Sequence, residues 1–234
     1  MLKRVSLQSV PTLALGIITV SFLASGCANF STTVQPVEVK ELGPKTIALH
    51  AGIGEATIYN VSTGAWLVAS QPAVRKSLNN TNQLQSDFTK AFIDYCRAAK
   101  LFETCAGEPF DASQVDIKVL PKLRQINNHA TYGDWLAVNF FTLDIPALFG
   151  WPYKNLTDGE VEIEVRSTDG RFTRTYVGKG SGQKNTNFYA LMFGLREVPH
   201  AMLSVNRAVT TAFEDAANQM INDPELQRRA GSSR

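Results

Sequence analysis

The 234-residue chain is poor in the side chains that most chemistry needs: it holds three cysteines and three histidines. His50, His129 and His200 have no partner at i,i+4 and no neighbouring cysteine, which excludes the common zinc motifs. No G-x-S-x-G elbow occurs, and no serine or cysteine has a base close in sequence to activate it. GIGEAT at 52–57 starts like a dinucleotide fingerprint but has Thr57 where the third glycine belongs. GKGSG at 178–182 lacks the P-loop spacing and is expected to be a loop that ends a hairpin. Glu160, Glu162 and Glu164 alternate with Val161, Ile163 and Val165, so they belong to the solvent face of a strand and not to an acid–base pair. There is no long basic run, which argues against nucleic acid, whose binding rests on clustered Lys and Arg. These gaps point to a protein that is not an enzyme and carries no cofactor or metal.

Long hydrophobic runs are also missing. The longest, TLALGIITVSFLA at 12–24, has 13 residues. A membrane-spanning helix needs roughly 20, whereas a signal-peptide core needs about 7 to 15. Lys3 and Arg4 precede the run and Ala24-Ser25-Gly26-Cys27 follows it. That order resembles the lipobox of bacterial lipoproteins, which implies cleavage before Cys27 and acylation of that residue; Ala24 stands where leucine is more usual. The competing reading is an ordinary secretory signal with an incidental cysteine. Cleavage removes Lys3 and Arg4, so the 23 basic residues fall to match the 21 acidic ones, and the mature chain is formally neutral.

The expected organisation is a signal peptide over 1–26, a lipidated Cys27 with a polar, Pro-punctuated tether over 27–44, one domain over 45–226 and a flexible tail over 227–234. About 208 mature residues suffice for one well-filled core. Residues 45–50 and 55–60 read as two short strands or one broken strand. From Asn82 to Lys100, Leu84, Phe88, Ala91, Phe92, Tyr95 and Ala99 form a helical stripe. Residues 113–126 alternate as a strand that Pro121 bends or sets at an edge, and 134–143 read as another. Residues 159–180 read as a hairpin turning at Asp169-Gly170. A last helix runs from about Pro199 to Asn222, stopped by Asp223-Pro224. The class is α+β, with a mostly antiparallel sheet of four to five strands packed by two main helices.

Cys96 and Cys105 are left once Cys27 is lipidated. Their spacing is not that of a redox catalyst or zinc knuckle. In an oxidising compartment a structural disulfide from helix exit to next strand is expected, with two free thiols as the alternative.

What the chain has in abundance is local aromatic crowding. Phe140, Phe141, Phe149, Trp151 and Tyr153 fall close together, as do Phe188, Tyr189 and Phe193. Pro146, Gly150 and Pro152 break regular structure in the first group. Both groups flank the hairpin, which places them at the end of the sheet opposite its turn. Leu148, Phe149, Trp151, Tyr189 and Phe193 are therefore expected either to form an exposed apolar interface or to cap the core.

The lipobox, the tether, LQSDFTKAFIDYCRAAKLFE before an alternating strand, the DGRFTRTYVGKG hairpin and the closing AVTTAFEDAANQMINDPEL helix together resemble bacterial outer-membrane lipoproteins with a small α+β periplasmic domain. The group includes relatives of the curli-secretion lipoprotein and of lipoprotein activators of penicillin-binding proteins. The resemblance lies in element order and supplies no catalytic residue. It implies an outer-membrane location facing the periplasm, because Ala28 stands where an aspartate would signal inner-membrane retention. The expected function is a non-enzymatic accessory or assembly factor that contacts the membrane through its anchor and either an envelope protein or a second copy of itself. The alternative is an auxiliary subunit of a lipid or solute transport system, holding an apolar ligand between the last helix and the aromatic loops.

Overall fold

The computed structural model describes residues 33–42, 47–64, 81–131, 152–187 and 197–232. Strand β1 (Ile47–Ile53) is followed by β2 (Thr57–Gly64), helix α1 (Thr81–Ala99), β3 (Phe102–Gly107), a short 3-10 turn (Ala112–Gln114), β4 (Ile117–Thr131), β5 (Pro152–Ser167), β6 (Thr173–Asn187), α2 (Glu197–Ile221) and α3 (Pro224–Ser232). The described elements form an α+β fold with one six-stranded sheet in the order β3-β1-β4-β5-β6, and β2 also pairs with β4.

This sheet is mixed, which corrects the expectation of a mostly antiparallel one. β1 runs parallel to both β3 and β4, and β2 runs parallel to β4. Only the β4–β5 and β5–β6 pairs are antiparallel. Alternation in a sequence shows which residues share a face, but not which strand lies alongside. The connection through α1 makes the parallel β1–β3 pair possible, since parallel neighbours need a long crossover. β1 and β2 lie end to end along one side of β4, beside Ile117–Val119 and Lys122–His129 respectively, so they are one broken strand. Pro121 falls opposite the break, where β4 is locally an edge and a missing N–H is tolerated.

The helices cover one face of the sheet. The α1 stripe is buried as its periodicity predicts, and Phe88, Phe92 and Tyr95 surround Phe213 of α2 with ring centroids 5.1 to 5.3 Å away. α1 ends in a tight reversal: Lys100 takes a left-handed φ of 55°, Leu101 N–H donates to Cys96 O (3.0 Å) and Lys100 N–H donates to Arg97 O (3.3 Å). The chain therefore turns straight into β3.

α2 meets β6 in a different way. Gly178, Gly180 and Gly182 share the inner face, and a Cβ on any of them would stand about 2 Å from a carbonyl of Ala212, Ala208 or Ser204. GKGSG is thus the middle of β6 and not the loop expected from its sequence. Its period of two is matched on the helix by Ser204, Ala208, Ala212 and Ala216, one turn apart. Side chains of α2 also bind the outer edge of β6: Gln219 Nε2 donates to Val177 O (2.8 Å), Asp215 Oδ2 accepts from Lys179 N–H (3.0 Å) and Arg207 Nη1 donates to Gln183 O (3.2 Å). That edge is closed to further strands.

α2 ends at Ile221, ahead of Asp223-Pro224 as expected, but two neighbouring segments differ. A further helix follows the stop: Asp223 Oδ1 accepts from Glu225 N–H (2.8 Å) and Leu226 N–H (3.3 Å) and so caps α3, with Pro224 at its first position. Leu226 and Ala230 are buried, so residues 227–232 are a packed helix and not a flexible tail. Residues 33–42 are likewise a docked strap and not free tether. Val34 is 2 % exposed, Gln35 N–H donates to Asn206 Oδ1 (3.2 Å), Val37 N–H donates to Thr210 Oγ1 (3.0 Å) and Leu42 N–H donates to Ala99 O (3.2 Å). The strand expected over 134–143 lies outside the described residues.

Candidate functional site

The largest described concavity, about 930 Å³, lies beside α1 at the carboxyl end of β3. Ile93, Pro109 and Phe110 give it an apolar floor, packed closely because Gly107 in the lining and Gly52 against Phe110 carry no Cβ. A Cβ at Gly107 would stand 2.7 Å from Ile93 Cδ1, and one at Gly52 would stand 2.6 Å from the Phe110 ring. Phe110 follows the cis Glu108-Pro109 bond. Lys118 Nζ lies 5.9 Å from the Phe110 ring centroid and 3.0 Å from Glu108 Oε1, which fixes the outer wall. Glu55, Lys90, Asp94 and Arg97 complete the rim with charges of both signs. An apolar floor with a mixed rim suits contact with an amphipathic partner. The sequence alone did not reveal this groove; the available signal was a pair of glycines in phase with core positions beside a lone phenylalanine after a proline.

Cys96 and Cys105 are brought together at the α1–β3 seam, but as free thiols. The disulfide expected from the sequence is not formed. The juxtaposition comes instead from the tight turn and the packing of α1 on β3. Burial, and then the bond to Cys105, push the Cys96 thiol well above its ordinary range. The Cys96 S–H donates to the Cys105 sulfur and holds the Cys105 thiol below its usual value, against the opposing effect of burial.

The solvent face of the sheet is an ion-pair lattice. Lys122 Nζ bridges Glu162 (2.9 Å) and Glu164 (2.7 Å), Arg124 reaches Glu160 (3.2 Å), and Arg166 pairs with Glu164. The bonds from Arg166 and then Lys122 hold the Glu164 carboxyl below the ordinary range, while those from Glu164 and Glu162 raise the Lys122 ammonium. These carboxylates share one face as their alternation suggested, but they are paired within the sheet and Glu164 is buried at 7 % exposure, which corrects the expectation of a solvated row. Under α2, Asn128 Nδ2 donates to Thr157 Oγ1 (2.6 Å) and Ser204 Oγ (3.3 Å), and the two hydroxyls share a bond of 2.8 Å. All three residues are buried, and Asn128 Oδ1 has no partner. This cluster contains no acid or base. It was foreshadowed only by polar residues in phase with Ile126 and Gly159.

The proposed lipidation site Cys27 and the apolar set Leu148, Phe149, Trp151, Tyr189 and Phe193 lie outside the described residues. The strand ends that border those stretches do share one end of the sheet: Pro152 pairs with Asn187, and Thr131 pairs with Lys154. Among the described residues no cluster of three metal-ligating side chains occurs, and no helix is long and apolar enough to cross a membrane.

No family model matches the chain, and no curated protein does. Among solved structures the chain is similar to a candidate homolog of the neuraminyllactose-binding hemagglutinin from Helicobacter pylori, at 9% identity and a TM-score of 0.42, over 86% of this chain and 96% of that one. It is also similar to a Xanthomonas campestris protein of the DUF330 family model, at 9% identity and a TM-score of 0.36, over 81% of this chain and 94% of the other. Likeness at this level is one of coarse shape, and neither protein's role is transferred.

Proposed function

We propose that the protein is a lipid-anchored, non-enzymatic accessory or assembly factor of the bacterial cell envelope. In this reading it is tethered through Cys27 to the outer membrane, faces the periplasm and works through protein or membrane contacts. The observation that carries the reading is the N-terminal order of basic pair, 13-residue apolar run, small residues and cysteine, followed by a strap that docks on a folded domain. It is supported by the chemistry of the described surface, where the acidic ladder is paired within the sheet and the one large groove has a rim of mixed charge. Two or more acyl chains hold a protein on a bilayer stably, whereas one alone is marginal. Cys27→Ser should therefore yield an unprocessed or freely soluble protein on fractionation. A Cys27→Ser protein that stays with the membrane at mature size would overturn the reading.

The groove favours a second reading, that of an auxiliary subunit of a lipid or solute transport system. α2 lies so close to β6 that no ligand fits between them at Gly178–Gly182; among the described residues the Phe110–Ile93 floor is the apolar surface open to a ligand, and the aromatic stretches first expected to hold one lie outside the described residues. Lipid extraction and mass spectrometry of the purified protein decide between the two: a stoichiometric lipid favours the carrier, and an empty stable domain favours the accessory role.

A further inference from the structure

We propose that the domain meets the lipid surface by one defined end of its sheet, the end at which β4 and β6 finish and β5 and α2 begin. The inference rests on the anchor at Cys27 and adds the direction in which that anchor holds the domain.

The strap supplies the direction. Along α2 it contacts Asn206 through Gln35 and then Thr210 through Val37, so the two run the same way and Thr33 is the end of the strap nearer the start of α2. Glu38 reaches back to Arg207 (2.7 Å), and Arg207 also holds Gln183 O of β6 (3.2 Å). Ser204 lies against Gly182 and Ala216 against Gly178, so α2 runs opposite to β6, and the strap begins at the level of Gly182–Gln183.

Length then excludes the other end. Cys27 precedes Thr33 by six residues, a reach of at most about 20 Å. Asn187, where β6 finishes, is four residues beyond Gln183, or about 13 Å at strand rise. The start of β6 at Thr173 is ten residues in the opposite direction, about 33 Å, and the Asp169-Gly170 turn lies beyond it. An anchor at Cys27 therefore reaches just past the Asn187 end and cannot stand the domain on the bilayer by its hairpin turn while the strap is docked.

The formal charges at that end balance, Lys154, Lys184 and Arg207 against Glu38, Asp158 and Glu197. Lys154 is exposed with no ion-pair partner among the described side chains, which offers an ammonium to an anionic headgroup. The chain connections to 132–151 and 188–196, whose sequences hold most of the crowded aromatic residues, both leave and re-enter at this end.

The test uses the lipidated full chain in vesicles of phosphatidylethanolamine and phosphatidylglycerol that carry an acceptor dye on a headgroup. A fluorescent unnatural amino acid replaces Asn185 at the proposed membrane end, or Arg171 at the turn. Energy transfer several-fold higher from position 185 than from 171 is expected. Inserting a Gly/Ser linker of about 20 residues, with a root-mean-square span of roughly 25 Å, after Ala28 should bring the two closer together. Co-sedimentation of the same sample reads the anchor separately. Protein that sediments with the vesicles but transfers equally from both positions, or more from 171, overturns the orientation alone. Protein that does not sediment overturns the anchor and the orientation with it.

Discussion

α1 and α2 cover the same face of one sheet, yet they pack by opposite means. α2 rests backbone to backbone on β6, with three glycines below and a row of Ser and Ala above. α1 stands off its strands, and the space is filled by Phe88, Phe92 and Tyr95 around Phe213. Close approach by small residues sets the backbones of α2 and β6 in contact, and Arg207, Asp215 and Gln219 bind the strand edge. Filling with large rings leaves irregular margins, and both the groove at Ile93 and Phe110 and the thiol pair lie along that seam. A seam of backbone contact and a seam filled by rings follow from residue size.

Four substitutions probe the comparison, in falling order of expected effect. Gly180→Ala puts a Cβ 2.1 Å from Ala208 O, and neither backbone can give way locally. The expected loss is about 4 kcal/mol or more, in the exceptional range for a single change, read from urea unfolding or from failure to accumulate folded protein. A loss below about 1 kcal/mol would show that α2 does not lie on β6 as described. Phe213→Ala empties the junction of the two helices and should cost about 3 to 5 kcal/mol, with the urea midpoint reporting it.

Glu164→Gln tests the outer face and should cost about 1.5 to 3 kcal/mol through lost charge-assisted bonds to Lys122 and Arg166. Because the folded Glu164 carboxyl is held below its unfolded value, its contribution is present above the ordinary carboxylate range and disappears as pH falls through the folded value. Urea midpoints measured from pH 7 down to 3 should therefore fall less steeply for Glu164→Gln than for the parent; equal slopes would remove the linkage. Gly107→Ala is the counterpart of the first variant on the α1 side. Its Cβ meets only the Cδ1 tip of Ile93, which a rotamer change relieves for about 1 kcal/mol or less. Equal losses at Gly180 and Gly107 would erase the distinction between the two seams.

Much of this was legible in the residue pattern. The α1 stripe, the hairpin at Asp169-Gly170 and the closing helix lie where their periods placed them, because helix and strand periodicity is a local property that burial of one face enforces. GKGSG was misread because glycine in a strand carries no hydrophobic signal; its meaning lies in a helix some 30 residues later. The strap was misread for a related reason. Its backbone partners, Asn206 and Thr210, are more than 160 positions away, and short polar segments look alike whether or not something holds them.

By itself the sequence determined the stripes of α1 and α2, the hairpin at Asp169-Gly170 and the N-terminal order of basic pair, apolar run and cysteine; it did not reveal β3, α3 or the glycine-rich middle of β6. The features it determined are consequences of neighbours within a few residues and of the lengths of apolar runs. The tertiary structure alone decided that the sheet is mixed, that β1 and β2 share one side of β4, that Cys96 and Cys105 meet as thiols, and that residues 33–42 bind α2. Each of these depends on which distant surfaces come to lie against each other, and that is set by the summed packing of the whole core and not by any local period.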